Sequence, residues 1–337
     1  MPVKTPEIAP PLISVVIPVY DEHANLGVLE ARLPPVLDQI AAGAFEILFI
    51  DDGSRDGSGA LLDAMSARDS RCKVIHFSRN FGHQAALQAG LDVAAGRAVV
   101  LMDADLQDPP ELLPQFVTRW KEGYEVVYAI RKTRKESIVK RMAYKVFYRT
   151  MKLIAKIDTP IDAGDFCLMD HRVVQTLVSL RERNRFLRGL RSWVGFRQIG
   201  IEYDRDARNA GEPKYTLRQL VGLALSGYIG FSTFPLRVAT WLGFLSAVMG
   251  VLLTSWVIIS KLTKTTVPQG WASNTAVVLF IGGTQLIMLG VLGEYLGRVY
   301  DEVRQRPLYV VKSRTGFSEA QGIGYPRQDQ TEPVHGS

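Results

Sequence analysis

With 337 residues, 47% of them hydrophobic, the chain has material for one substantial globular domain and further elements. Its formal charge of +6 favours anionic partners such as phosphates or an anionic lipid surface. Two cysteines, Cys72 and Cys167, exclude a disulfide framework, and the lack of any Cys-x-x-Cys pair argues against a zinc site. Residues 1–11 form a polar, proline-rich N-terminal tail without the basic region and apolar core of a signal peptide.

From residue 12, short β-rich apolar runs alternate with amphipathic stretches. Leu12–Val19, Phe45–Ile50, Cys72–Phe77 and Ala98–Met102 predict strands, and residues 24–41, 57–68 and 82–95 predict the helices between them. Such alternation points to an α/β domain over 12–215, with a mainly parallel sheet wrapped on both faces. Ligands of such sheets bind beyond the carboxyl ends of the strands. The first strand there ends in Pro18-Val19-Tyr20-Asp21-Glu22, the second in Asp51-Asp52-Gly53-Ser54, and the fourth in a run from Asp103 to Pro110.

Three acidic clusters converging on one edge would repel one another unless a cation or hydrogen-bond donors offset the repulsion. Asp103-Ala104-Asp105 is the sharpest of these signals. Two carboxylates one residue apart suit Mg²⁺, which takes one or two carboxylates plus phosphate oxygens, and Gln107 can add a carbonyl oxygen. The alternative is an Asx-rich turn that caps a helix at Pro109 or Pro110. Asp51 and Asp52 can accept a base N–H or bind ribose hydroxyls, or they and Ser54 can simply build a tight turn and helix cap.

Residues 131–149 are rich in Lys and Arg, with Tyr144, Phe147 and Tyr148 interleaved. The preferred reading is a lipid-phosphate or membrane-docking site that uses Arg134, Lys140 and Arg141. A solvated basic helix and a nucleic-acid patch are the alternatives, and no nucleic-acid partner is expected. Residues 216–235 carry one charge, Arg218, and read as a membrane-surface amphipathic helix or a domain-terminal one.

The runs 238–260 and 272–293 carry no charge at all. They predict transmembrane helices over 236–260 and 272–295, with a pair of buried core helices as the alternative. Arg218 and Arg237 before the pair, and Arg298, Arg304 and Arg306 after it, put the α/β domain and both termini on the cytoplasmic side; Lys261 and Lys264 oppose that mildly. Residues 296–337 are expected as a cytoplasmic segment, amphipathic to Arg314, followed by a loose polar tail.

Together PVYDE, DDGS, SRNFGHQAALQAG (78–90) and DADLQDPPE (103–111) resemble the family-2 inverting glycosyltransferases of GT-A fold. Within them the chain is most similar to dolichol-phosphate mannose synthases and, with its two C-terminal spans, to bactoprenol (undecaprenyl-phosphate) glucosyltransferases. The usual first motif is PVYNE; here Asp21 replaces the Asn, and Glu22 is kept. The resemblance implies a donor pocket of Pro18, Val19, Tyr20, Glu22, Asp51 and Asp52, with Asp103, Ala104 and Asp105 along the diphosphate. It implies Mg²⁺ or Mn²⁺ at Asp105, Gln107 and Asp103, and Arg131 near the donor phosphates. It also implies a Gly-Asp-Phe turn at 164–166, where Asp165 orients a sugar hydroxyl or the incoming phosphate, unless it only caps a helix. A mobile acceptor loop carrying Arg205, Arg208 and Lys214 is implied too, against the alternative of a flexible linker. His83 lies within the family motif and can line the donor pocket.

The implied reaction is inverting transfer of a hexose, foremost glucose from UDP-glucose, to a polyprenyl phosphate at the inner (plasma) membrane. Catalytic roles fall to Asp103, Asp105 and Asp165. Mannose or aminoarabinose transfer, glycan extension and a non-catalytic nucleotide-binding scaffold are the alternatives. Glycan extension lacks its QxxRW-type motif here, since Arg191-Ser192-Trp193 does not match it. A homo-oligomer is compatible with the sequence, which does not fix the oligomeric state.

Overall fold

The computed structural model describes residues 11–131, 163–180, 182–183, 185–203, 234–263 and 270–317. The first strand, β1 (Ile13–Val19), is apolar at nearly every position because both faces of the sheet are covered. It is followed by α1 (His23–Ala41), β2 (Phe45–Asp51), α2 (Ser58–Arg68), β3 (Cys72–Phe77), α3 (His83–Val93) and β4 (Ala98–Leu101). These match the expected elements to within two residues at most boundaries. A 3₁₀ turn at Pro110–Leu112 leads into α4 (Leu113–Lys121), then β5 (Val126–Arg131), β6 (Ala163–Asp170), α5 (His171–Ser179), α6 (Leu187–Trp193) and β7 (Gln198–Tyr203).

Among the described residues the sheet has eight strands in the order β7-β5-β6-β4-β1-β2-β3-β8, where β8 is Val311–Thr315. Its centre, β4-β1-β2-β3, is parallel as expected. β6 enters antiparallel between β4 and β5, and β8 lies antiparallel on β3. One face is packed by α1 and α4 through Leu26, Leu29, Leu33, Leu37 and Phe116. The other is packed by α3, α5 and α6 through Leu87, Leu91, Val174, Leu177 and Leu190.

Two expectations are corrected. Residues 164–166 are not a turn: they lie within β6, at an irregularity between Ala163, which pairs with β5, and residues 167–170, which pair with β4. The segment after the second apolar helix is not merely an appendage, because β8 completes the sheet of the 12–215 domain.

Between β7 and β8 run two long helices, α7 (Phe234–Thr263) and α8 (Trp271–Arg304). Each contains a stretch long and apolar enough to cross a membrane, Leu236–Leu253 and Phe280–Arg304. Only 6% of the first stretch and none of the second is buried, which excludes the buried-core-helix alternative. Trp241 and Leu262 are 71% and 81% exposed, part of an extended apolar surface along both helices. The helices meet where Gly243 faces Met288: a Cβ there would lie 2.8 Å from the Met288 methyl. Residues 216–233, the tails at 1–10 and 318–337, and Arg134, Lys140, Arg141, Arg205, Arg208 and Lys214 lie outside the described residues.

Candidate active site

The carboxyl ends of β1 and β2 are stitched together. Asp21 adopts a left-handed backbone (φ 52°), a conformation that Asp and Asn tolerate better than other non-glycine residues. That constraint explains why an Asp can stand where the resembling family has Asn. The Asp21 N–H donates to Ser54 Oγ, and Asp21 Oδ1 accepts the Arg55 N–H at 2.7 Å. Glu22 accepts from the Asn25 amide at 2.6 Å, and Tyr20 is left 38% exposed at the rim. Gly53 (φ +74°) runs so close to Arg79 that a Cβ would sit 2.7 Å from its carbonyl carbon.

Asp51 and Asp52 are both buried, and both are held by protein donors. Asp52 accepts the N–H groups of Phe81 and Gly82 at 2.6 and 2.9 Å, which fixes the entry to α3. Burial nevertheless raises its pKa. Asp51 accepts the Ser54 N–H and pairs with His76 Nδ1 at 2.8 Å. Burial works against its charge, but the bonds from His76 and Ser54 outweigh it and hold the carboxyl below its ordinary range. The two aspartates therefore brace the loops at this end of the sheet.

Beyond β4, Leu106 also adopts a left-handed backbone (φ 61°), which folds the Asp103–Asp108 loop tightly. Asp105 is buried and accepts the Gln107 N–H at 3.1 Å, so Gln107 meets it through its backbone. Asp108 is buried and accepts the Tyr203 hydroxyl at 2.8 Å, which ties the loop to β7.

Asp165 projects from β6 into the same cluster. Arg188, in the first turn of α6, grips it with two bonds of 3.0 and 2.9 Å, a fork geometry that suits guanidinium and carboxylate. His83, at the first position of α3, lies between Asp165 and Asp103, with Nε2 3.5 and 3.8 Å from them. Burial alone would raise the Asp165 pKa, but His83 and Arg188 pull it well below the usual carboxylate range. Burial opposes the His83 charge, but Asp165 and Asp103 overcome it and raise its pKa. Asp103 goes the other way. Burial raises its pKa, His83 opposes the rise, and the charges of Asp108, Asp165 and Asp105 reinforce it.

Asp103 keeps 32% of its side chain open to solvent, so a ligand can reach it. Among the described residues no group of three or more His, Cys, Asp or Glu is arranged to hold a metal ion. Asp103 and Asp105 fit the sparser coordination of Mg²⁺ or Mn²⁺, in which diphosphate oxygens supply much of the shell. A cation there would relieve the crowding of carboxylates that raises the Asp103 pKa.

Of the residues singled out from sequence, Asp103, Asp105, Asp165 and His83 come together, with Gln107 beside them. Pro18, Val19, Tyr20, Glu22, Asp51 and Asp52 occupy the neighbouring edge, and Arg131 ends β5. Sequence reasoning missed Arg188, Tyr203 and His76. His76 sits near the end of a predicted strand, where the rule about carboxyl ends would have found it.

Acidic strand ends thus gather at one edge of a mixed α/β sheet, beside Arg188 and His83. The chain belongs to glycosyl transferase family 2. Residues 14–178 match that family and residues 234–299 match the GtrB C-terminal hairpin. It is 47% identical to the uncharacterized glycosyltransferase YkcC of Bacillus subtilis, over 90% of this chain and 94% of the relative. It is 41% identical to the bactoprenol glucosyl transferase of Shigella phage SfII, over 89% and 97% of the two chains. A solved structure of glucosyl-3-phosphoglycerate synthase from Mycobacterium tuberculosis, in complex with Mn²⁺, UDP and its product, is similar over 65% of this chain and 76% of that one. The identity there is 20% and the TM-score 0.41.

Proposed function

We propose that the chain transfers glucose from UDP-glucose to undecaprenyl phosphate or a related polyprenyl phosphate, at the cytoplasmic face of the plasma membrane and with inversion at the anomeric carbon. The observation that carries this reading is that the acidic sheet edge and the apolar hairpin are parts of one folded unit. Strands from both sides of the hairpin, β7 and β8, belong to the sheet that bears Asp103 and Asp165. The bactoprenol glucosyl transferases support the sugar and the lipid by similarity over both parts of the chain.

A lipid phosphate monoester is largely ionised near neutral pH and needs no strong base. Its oxygen attacks the glucose anomeric carbon; a carbon–oxygen bond to the lipid phosphate forms as the bond to the UDP β-phosphate oxygen breaks. The electron pair leaves with UDP. The protein's tasks are alignment and charge balance.

Asp165, kept ionised by Arg188 and His83, orients a sugar hydroxyl rather than acting as an acid. Protonated His83 balances charge beside Asp103. Arg131, Arg208 and Lys214 serve the donor phosphates, and Arg134, Lys140, Arg141 and Arg205 serve the acceptor phosphate. Asp103 and Asp105, with Gln107, hold Mg²⁺ or Mn²⁺, which supplies charge neutralisation to the diphosphate when bound.

Full-length protein in detergent, given radiolabelled nucleotide sugars and undecaprenyl phosphate, tests the proposal. UDP-glucose is the expected donor. Asp103→Ala and Asp105→Ala, and EDTA treatment, are expected to abolish transfer while the melting profile stays cooperative. Wild-type turnover in those variants overturns the metal assignment, and preference for a GDP-sugar overturns the donor.

A further inference from the structure

His76 belongs to no site described so far except through its bond to Asp51. It is buried, and both of its ring nitrogens face carboxylates: Nδ1 lies 2.8 Å from Asp51 Oδ2 and Nε2 lies 3.1 Å from Asp63 Oδ1. Neutral imidazole has one N–H, so only the doubly protonated ring donates to both. Asp63 Oδ1 also accepts the hydroxyl of Thr315 at 2.7 Å. Thr315 is the last residue of β8, the strand that follows the apolar hairpin.

A continuous chain of hydrogen bonds thus runs from β8 through α2 and β3 to β2: Thr315, Asp63, His76, Asp51. Two features show that the backbone makes room for it. Gly59 in α2 abuts it, and a Cβ there would lie 3.0 Å from Asp51 Oδ2 and 3.5 Å from the His76 ring. The ladder between β3 and β8 also breaks register between His76 and Phe77, an irregularity that re-aims side chains.

We propose that β8 is a positioning element of the nucleotide pocket, acting through Thr315, Asp63 and His76 to fix the Asp51 carboxylate. The proposal rests on the reading of Asp51 as a wall of the donor pocket. His76 is here a positioning residue, since it reaches the ligand only through Asp51. The groups that face the ring are Asp51 from β2 and Asp63 from α2, with the uncharged Thr315 behind Asp63 on β8. The bond to Asp51 is the leading cause that raises the His76 pKa, and Asp63 adds to it. The chain of bonds is therefore complete below the raised pKa and loses a donor as pH rises through it.

The test uses full-length protein in detergent and calorimetric binding of UDP or GDP, whichever the wild type binds more tightly, from about pH 6.5 to 9. His76→Gln is expected to weaken binding about ten-fold at the acid end and to abolish the fall in affinity toward alkaline pH. Thr315→Val, which removes one hydroxyl at the sheet edge, is expected to weaken binding about three-fold and to add nothing in the His76→Gln background. In turnover assays both changes raise the donor KM and leave kcat nearly unchanged.

If Asp51→Asn weakens binding but His76→Gln and Thr315→Val match the wild type in affinity and pH slope, the coupling is refuted. If Asp51→Asn binds as the wild type does, the donor-pocket reading of Asp51 fails instead. Should His76→Gln not fold, the Thr315→Val affinity and its pH slope decide alone.

Discussion

Arg188 is the residue on which the charge balance of the site turns. It neutralises Asp165 through two bonds, and the Asp165 and Arg188 side chains are only 15% and 29% exposed. Arg188→Ala leaves a mostly buried carboxylate beside Asp103. Its expected cost is on the order of 2 kcal/mol, between the values for exposed and fully buried pairs. The loss is read by denaturant unfolding, and transfer should fall with it. Arg188→Lys keeps the charge without the fork and should recover stability better than turnover. Because Asp165 has a lowered pKa, this stabilisation is present at neutral pH and is lost progressively as pH falls below the ordinary carboxylate range toward that lowered pKa. Asp103 and Asp105 were legible in the sequence because their spacing is itself a signal. Arg188 was not, because it meets Asp165 across 23 positions of chain and nothing in the sequence singles it out from its neighbours Arg185 and Arg191.

At the scale of elements, legibility followed continuity of apolar sequence. β1 to β4 are buried at nearly every position and read as mainly hydrophobic runs, interrupted at Ser14, Glu46, Lys73 and His76. β6 opens Ala163-Gly164-Asp165, residues poor in strands, and it is its later residues 167–170 that are held between β4 and β5. β8, Val-Lys-Ser-Arg-Thr, has one apolar residue and gains its conformation from the edge of β3. α3 gives a test of packing at this scale. Gly90 lies against β1 so closely that a Cβ would fall 2.1 Å from Val16 Cγ1. Gly90→Ala is expected to cost about 1–3 kcal/mol by overpacking, and Val16→Ala in the same chain should return part of it. An unchanged unfolding midpoint for Gly90→Ala would show that α3 stands farther off.

The whole molecule joins a soluble sheet to a hairpin of α7 and α8. The charge-free runs made the helices visible in sequence, whereas their return to the sheet was invisible, since it depends on β8. If the pair crosses the membrane, both of its ends must lie on the side of the catalytic domain. Cys72 and Cys167 are buried, and burial pushes the Cys72 thiol up to about 12, so both give little background to thiol labels. In intact cells a membrane-impermeant maleimide should label Thr266→Cys, between the helices. Arg306→Cys should react only after permeabilisation. The reverse pattern would invert the orientation.

β7 and β8 are the two outermost strands of the sheet, and the hairpin departs after one and returns into the other. On the β8 side only residues 305–310 intervene, a leash of about 20 Å at full stretch. The catalytic body is thus moored at port and starboard, with one hawser short. If the hairpin spans the bilayer, the short line keeps the β8 edge of the sheet within about 20 Å of the end of α8.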